Sequence, residues 1–124
     1  MEVRFFLHCR DVTVSRAFYA GIAWRHGGDV TDNDGSRVFN VELTPGVFLK
    51  IAQNPRASTA HASIEFLAFD VWALAERVEG MLPQHTGIVD TLPPGHYCGP
   101  YEYPGGPLLS IRDPDGHLLS FATW

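Results

Sequence analysis

The chain has 124 residues, 45% of them hydrophobic, which is enough for one compact domain with its own core. Its 14 acidic and 9 basic residues give a net charge of -5, and this balance disfavours nucleic-acid binding, which usually requires a basic surface. No apolar run approaches the ~18 residues of a membrane span and no signal-peptide pattern opens the chain, so we expect a cytoplasmic protein.

The first half of the chain predicts one strand, one helix and three further strands. An apolar strand containing Phe6 leads to Asp11, a predicted N-cap whose carboxylate accepts first-turn N–H groups. The helix is expected over about residues 12–21, with Val14 and Phe18 in its apolar stripe and Gly21 at its end. Three β-like runs follow, separated by turn residues at 32–35 and 44–46: "WRHGGDV", "SRVFNVELT" and "VFLKIAQ".

The second half repeats this order after a linker at residues 54–61. Asp70 is the predicted N-cap of a helix over about residues 71–81, and Gly80 its expected end. The predicted apolar stripe consists of Leu74, Val78 and Met81 or Leu82. The runs "GIVDTL", "PLLSIR" and "HLLSFAT" are the predicted strands. The Phe-Leu and Asp-Val pairs recur about 60 residues apart, which indicates a duplicated β-α-β-β-β unit.

Two segments near the end of the chain carry candidate binding residues. The sequence Asp113-Pro114-Asp115-Gly116 predicts a tight turn, so the runs on either side should form a hairpin whose last strand carries Ser120. The segment "PPGHYCGPYEYPGG", residues 93–106, is expected to be a loop. Its tyrosines predict a lid or wall that stacks on a planar ligand, or alternatively cover for the core edge or a dimer contact: Tyr97, Tyr101 and Tyr103.

Taken together, the two modules, the Asp-Val-x-x-Ser-x-x-Phe-Tyr helix start at residues 11–19 and the terminal Asp-Pro-Asp-Gly turn resemble the vicinal oxygen chelate superfamily. That superfamily includes glyoxalases, extradiol dioxygenases and bleomycin-resistance proteins. The resemblance implies an α+β fold in which two tandem βαβββ modules curl mixed sheets around a cavity. It implies one domain over residues 1–124, with module one at about 1–54 and module two at about 61–124, and a homodimer.

The resemblance also locates the strand positions at which metal-dependent members place their ligands. Here these positions hold Arg4, Lys50, Ile64 and Ser120. None is a histidine or a carboxylate, and two are cations that would repel a divalent ion, so we expect no metal and no cofactor. Two alternatives stay open. One is an off-register metal site using His8, Glu65 or His61, and the other is that Arg4 or Lys50 forms an ordinary ion pair with Glu2, Glu42 or Glu65.

Strand alternation from those four positions extends the set of cavity residues, because side chains two apart share a face. The predicted ligand-binding set, with the tyrosines, is Arg4, Phe6, His8, Phe48, Lys50, Ile64, Phe66, Tyr97, Tyr101, Tyr103, Leu118 and Ser120. In this register Ala68 also faces the cavity, whereas Glu65 and Leu67 face the helices. A slip of one residue would exchange the two faces of that strand. Cys9 and Cys98 show no metal-ligand spacing and are expected to be free thiols.

Three functions fit these residues. The first is a metal-free protein that sequesters a small aromatic or peptide-derived natural product, as in antibiotic resistance or self-resistance, and it is favoured by the cationic and aromatic cavity residues. The second is an enzyme of the superfamily, a lyase, isomerase or oxygenase, with a non-standard ligand set or no metal. The third is a structural or partner-binding module. We expect a small-molecule natural product and a second copy of the chain as partners, and neither nucleic acid nor membrane.

Overall fold

The computed structural model describes residues 1–22, 25–31, 35–54 and 61–124 and divides into two compact units, Met1–Ala60 and His61–Trp124. The first unit contains β1 (Val3–Cys9), α1 (Val12–Ile22), β2 (Arg25–Thr31), β3 (Arg37–Thr44) and β4 (Val47–Gln53). The second contains β5 (Ser63–Phe66), α2 (Val71–Glu79), β6 (Tyr97–Tyr103), β7 (Gly106–Arg112) and β8 (Leu118–Ala122). The predicted turn at residues 32–34 and linker residues 55–60 lie outside the described residues.

Each unit forms a four-stranded mixed sheet of the same topology. The strand order is β1-β4-β3-β2 in the first sheet and β5-β8-β7-β6 in the second. In each sheet the first strand of the unit is parallel to the last, and the remaining pairs are antiparallel. The predicted α+β fold of two βαβββ modules is therefore confirmed.

Helix α1 begins at the predicted N-cap. The Asp11 carboxylate accepts hydrogen bonds from the backbone N–H groups of Thr13, at 2.9 Å, and Val14, at 3.4 Å. The buried stripe differs from the predicted one, since Val14 is 51% exposed. The stripe is Val12, Ser15, Phe18, Tyr19 and Ile22, and the helix packs against β3 and β4. Because Ile22 is buried, the helix continues through the predicted stop at Gly21.

Helix α2 follows its prediction more closely. The Asp70 carboxylate accepts a hydrogen bond from the Ala73 N–H at 3.1 Å, and Gly80 is the C-cap. The inward residues are Val71, Leu74 and Val78, and the helix contacts β6 and β7. Met81 lies beyond the helix and is 38% exposed. Within the described part of the chain, neither helix is long and apolar enough to cross a bilayer.

The edge strand of the second sheet is not the segment that the sequence predicted. The run "GIVDTL" forms a short 3-10 turn at Val89–Thr91, and the predicted tyrosine loop instead contains β6. Strand β6 pairs with β7, with a register shift between Cys98 and Tyr101 where Pro100 lies. Because proline has no N–H to donate, it is tolerated in a sheet mainly at edges and irregularities, and β6 offers both.

The predicted terminal hairpin is confirmed, and its turn is tightly bonded. Asp113 is 1% exposed, and its Oδ1 accepts hydrogen bonds from the N–H groups of Asp115, at 2.9 Å, and His117, at 2.8 Å. Gly116 has a φ of +94°, a conformation that favours glycine. The turn thereby fixes the register of β7 and β8, in which Ser110 pairs with Ser120.

Candidate ligand-binding site

Each sheet has one face packed against its helix, and we call the opposite surface the helix-free face. On β8 the buried residues Leu119 and Phe121 point toward the helix, whereas Leu118, Ser120 and Ala122 belong to the helix-free face. The pairing partners follow the same alternation, because paired residues share a face. Ser120 therefore lies on the surface to which the sequence assigned it.

The predicted register of β5 is wrong by one residue. Ile64 pairs with the fully buried Leu119 and so lies on the helix-packed face, whereas Glu65 pairs with Ser120 on the helix-free face. Phe66 determines this register, since its ring stacks on Phe121 at a centroid distance of 5.0 Å. An aromatic pair of this kind adds about 0.5–1.5 kcal/mol beyond area burial and so favours this register.

The correction moves two further residues at the end of β5. Leu67, predicted to face the helices, is 54% exposed and lies beside the helix-free face. Ala68, predicted to face the cavity, lies beyond the strand with a φ of +57°, and its N–H donates to the Trp124 carbonyl at 2.9 Å. The sheet register therefore ends at Phe66.

A cavity of about 410 Å³ lies on the helix-free face of the second unit, and we call it the serine cavity. It is lined by Ser63, Glu65, Phe66, Leu67, Val89, Tyr101, Leu108, Ser110, Leu118, Ser120, Ala122 and Trp124. Three of the lining residues were predicted as ligand-binding residues and lie on this face: Tyr101, Leu118 and Ser120. Phe66, predicted with them, also borders the cavity, but it pairs with the buried Phe121 and so lies on the helix-packed face. The volume is that of an ordinary small-molecule site, which is about 300–1,000 Å³.

Two hydroxyl groups form the polar centre of the serine cavity. The Oγ atoms of Ser110 and Ser120 are 3.0 Å apart, and Ser110 is only 1% exposed. One hydroxyl donates to the other, so the pair keeps one further donor and free acceptor capacity for a ligand. Ser110 was missed by the sequence analysis; it lies five residues before Asp115 and Ser120 lies five residues after it, so the two pair across the observed turn.

Glu65 is the one charged side chain among the residues that line the serine cavity. It is exposed, and within the described residues it makes no ion pair. A carboxylate at this position accepts charge-assisted hydrogen bonds from an ammonium or amidinium group. The sequence analysis predicted that Glu65 faces the helix, because the register it assumed for β5 is wrong by one residue.

Aromatic rings form the apolar walls. The Trp124 indole lies against the turn at Gly105, where any side chain would collide with the ring. Tyr101 pairs with Leu108 and borders the cavity. Tyr97 pairs with the buried Ile111 and is 5% exposed, so it lies on the helix-packed face, away from this cavity. The Tyr103 side chain lies outside the described residues.

The helix-free face of the first unit carries the other predicted residues. Arg4, Phe6 and His8 alternate on β1 and pair with Phe48, Lys50 and Ala52 of β4. The Arg4 guanidinium lies 5.8 Å from the Phe48 ring centroid, and the Lys50 ammonium lies 5.4 Å from that of Phe6. The rings of Phe6 and His8 meet edge to face at 5.2 Å. Phe6 is 52% exposed, so this is a surface on which cations alternate with rings.

The alternative ion pairs proposed for the two cations are partly present. Arg4 approaches Glu2 at 3.6 Å, and both side chains are 61% exposed, a situation in which an ion pair contributes little stability. Glu42, another candidate partner, is instead buried and bonded to the Arg25 Nε at 2.5 Å and the Gly46 N–H at 3.1 Å.

No group of three or more His, Cys, Asp or Glu side chains that could hold a metal occurs within the described residues.

Cys9 and Cys98 are free and buried. Burial raises the pKa of the Cys98 thiol above its ordinary value, and the nearby positive charge of Arg112 partly opposes this effect. The lining of the serine cavity offers a ligand the Glu65 carboxylate and the Ser63, Ser110 and Ser120 hydroxyls, and it also contains two residues with polar tips, Tyr101 and Trp124.

The chain is similar over nearly its whole length to several solved structures. A glyoxalase/bleomycin resistance protein from Streptomyces sp. CB03234 aligns with a TM-score of 0.71 and 18% identity, covering 98% of both chains. The bleomycin resistance determinant encoded on transposon Tn5 gives a TM-score of 0.70 at 18% identity, covering 98% of this chain and 95% of that chain. This chain has the glyoxalase/bleomycin-resistance fold.

Two further neighbours differ in what they hold. A bleomycin-binding protein solved in complex with bleomycin has a TM-score of 0.67 and 20% identity, covering 98% of this chain and 95% of that chain. A fosfomycin resistance protein from Listeria monocytogenes complexed with Mn(II) has a TM-score of 0.56 and 15% identity, covering 99% of this chain and 90% of that chain. These neighbours agree with the resemblance to the vicinal oxygen chelate superfamily. No family model and no curated protein matches the sequence.

Proposed function

We propose that this protein sequesters a small planar or peptide-derived natural product and does so without a metal. The observation that carries the proposal is the serine cavity, in which aromatic and aliphatic walls surround a hydroxyl pair and one carboxylate. Sites for drug-sized molecules have this composition, because apolar enclosure supplies most of the affinity and a few polar groups fix the orientation.

The polar groups of the cavity suit binding better than bond breaking. A serine nucleophile requires a neighbouring base that is itself oriented by a third group, and the hydroxyl that Ser120 contacts belongs to Ser110. Two hydroxyls and a carboxylate instead match the amide, hydroxyl and amine groups of a peptide-derived molecule. The bleomycin complex among the structural neighbours supports this ligand class.

The test is binding measured separately from stability. We expect Tyr101→Ala to weaken binding of a planar natural product by about tenfold. Loss of the ring stacking and of the apolar area that the ring buries reduces the binding free energy by about 1.5 kcal/mol or more. Met81→Ala, at an apolar residue that is 38% exposed and does not line the serine cavity, is the control and should leave the affinity unchanged. An equal loss of stability with unchanged affinity would remove Tyr101 from the site.

A second candidate is an enzyme, and Glu65 is the observation that favours it. A carboxylate beside Ser120 on the helix-free face offers a proton acceptor, or one ligand for a divalent ion together with groups that a substrate brings. The Mn(II) complex among the neighbours supports this alternative. Melting curves with chelator and with added Mn²⁺ separate the candidates, because a metal that binds only the native state raises the melting temperature.

We further propose that the whole chain acts as one cytoplasmic domain and that two copies pair as a homodimer. The exposed Trp72 on α2 is a surface aromatic of the kind enriched in protein interfaces. Sedimentation equilibrium at micromolar concentration should give a mass of about twice 13.7 kDa. A monomer at all concentrations would contradict this part of the proposal.

A further inference from the structure

A second cavity adjoins the serine cavity within the same unit. We call it the edge cavity; it is formed by residues 84–89 and 98–101 and has a volume of about 600 Å³. Val89 and Tyr101 line both cavities, so the two spaces lie on either side of a shared wall. A ligand that occupied both cavities would therefore have to pass Tyr101.

Hydrogen bonds hold the walls of the edge cavity in place. The His85 N–H donates to the Tyr97 carbonyl at 2.7 Å, and the His85 ring is bonded to the Thr91 hydroxyl at 2.8 Å. The Gln84 amide donates to the Gly99 carbonyl at 3.3 Å and thereby ties the 84–89 segment to β6. The cavity is thus a preformed space, and a ligand does not have to order its walls at the cost of affinity.

The chemistry of the edge cavity differs from that of the serine cavity. Its lining contains no Asp, Glu, Lys or Arg, whereas the serine cavity contains Glu65. Burial raises the pKa of Cys98, so its thiol is neutral near pH 7. Ile88 is 66% exposed at the rim, a large apolar side chain that gains from being covered. An uncharged apolar group is therefore the occupant that this lining favours.

We infer that the ligand is a two-part molecule, with a protonated amine at Glu65 and the Ser110–Ser120 pair and an uncharged planar group that passes Tyr101 into the edge cavity. This inference rests on the proposed function and names its ligand class. The amine is matched by the carboxylate of the serine cavity, and the planar group by the apolar edge cavity. Tyr101 contacts both parts, which makes it the residue that joins the two subsites.

The test uses dansylcadaverine, a primary amine joined by a flexible chain to a naphthalene fluorophore whose emission rises in an apolar site. Fluorescence titration should give saturable binding to the wild-type protein. Glu65→Gln should weaken binding of this probe by about tenfold, as expected for a lost charge-assisted hydrogen bond, and should leave the N-acetylated probe unaffected.

Two substitutions of opposite charge at Ile88 report which end of the probe lies in the edge cavity. Ile88→Asp and Ile88→Lys should both weaken binding by about tenfold, because either charge disfavours an apolar neighbour. Met81→Asp and Met81→Lys are the matched controls, since Met81 is 38% exposed and lines neither cavity, and both should leave the affinity within about twofold of wild type.

Three results would overturn the inference while leaving the proposed function intact. Tighter binding with Ile88→Asp than with wild type would place the amine in the edge cavity. Unchanged binding in both Ile88 variants, with weaker binding in Tyr101→Ala, would confine the ligand to the serine cavity. If planar natural products stabilise the protein but dansylcadaverine does not bind, the two-part amine ligand class is rejected. The proposed function itself fails if that stabilisation is absent or requires a divalent metal.

Discussion

Substitution of Asp113 tests how much the terminal turn contributes to the stability of the second unit. Its Oδ1 accepts hydrogen bonds from the N–H groups of Asp115, at 2.9 Å, and His117, at 2.8 Å. The Asp113 side chain is buried, and the bond to His117 is buried as well. We expect Asp113→Ala to remove both bonds, of which the one from the His117 N–H is buried.

The magnitude follows from these two bonds. A hydrogen bond to a charged group contributes about 1.5–3 kcal/mol, and the partly buried Asp115 N–H can be solvated after the change. The expected loss is therefore about 3 kcal/mol in the free energy of unfolding. For a chain of this size that loss lowers the melting temperature by about 10 °C.

Two variants separate the bonds from other effects. Asp113→Asn keeps an oxygen at the Oδ1 position but removes the charge, so it should lose about 1–2 kcal/mol, less than Asp113→Ala. Asp90→Ala, at an exposed aspartate of the 3-10 turn, should change stability by about 0.5 kcal/mol at most. Urea unfolding followed by circular dichroism measures all three. If Asp113→Asn loses as much as Asp113→Ala, the negative charge and not the Oδ1 geometry holds the turn.

Three further changes test other parts of the structure. Ala68→Gly should stabilise the protein by about 0.5–1 kcal/mol, because Ala68 has a φ of +57°, and a lower melting temperature would contradict the strain. Leu119→Ala, at a fully buried core position, should cost about 2–5 kcal/mol, whereas Leu67→Ala, at a residue that is 54% exposed, should cost under about 1 kcal/mol; similar losses would refute the assigned faces. Because burial raises the pKa of Cys98, the folded state retains the thiol proton to higher pH than the unfolded state. Its contribution to stability is present below the ordinary thiol pKa of 9.0 and is lost as pH rises above that value, so Cys98→Ala should flatten the stability profile there, and an unchanged profile would contradict the shift.

The parts of the fold that the sequence predicted are those specified by local chemistry. Asp11 and Asp70 cap helices because a carboxylate before a helix accepts its first free N–H groups. The Asp113 turn likewise depends on residues adjacent in sequence. The pairing of Ser110 with Ser120 did not follow from the predicted turn at residues 113–116, because the observed turn includes His117 and is centred on Asp115.

The parts that sequence reasoning missed depend on contacts between distant residues. Glu65 lies on the helix-free face because the neighbouring Phe66 stacks on Phe121, 55 positions later in the chain. No local pattern in β5 indicates this contact. Strand β6 contains glycine and proline and lacks alternation, so it was read as a loop, yet pairing with β7 stabilises it. The ligand-binding roles predicted for Arg4, Phe6, His8, Phe48 and Lys50 stay predictions.

The most direct test of the central claim is the melting temperature of the protein with planar and peptide-derived natural products, before and after treatment with a chelator. A ligand at about 100 times its Kd stabilises the native state by about 2.7 kcal/mol. The account predicts an upward shift of about 8 °C for at least one such ligand, equal with and without chelator and reduced in Tyr101→Ala. A shift that disappears with chelator and returns with one divalent metal would contradict metal-free sequestration and favour the enzyme.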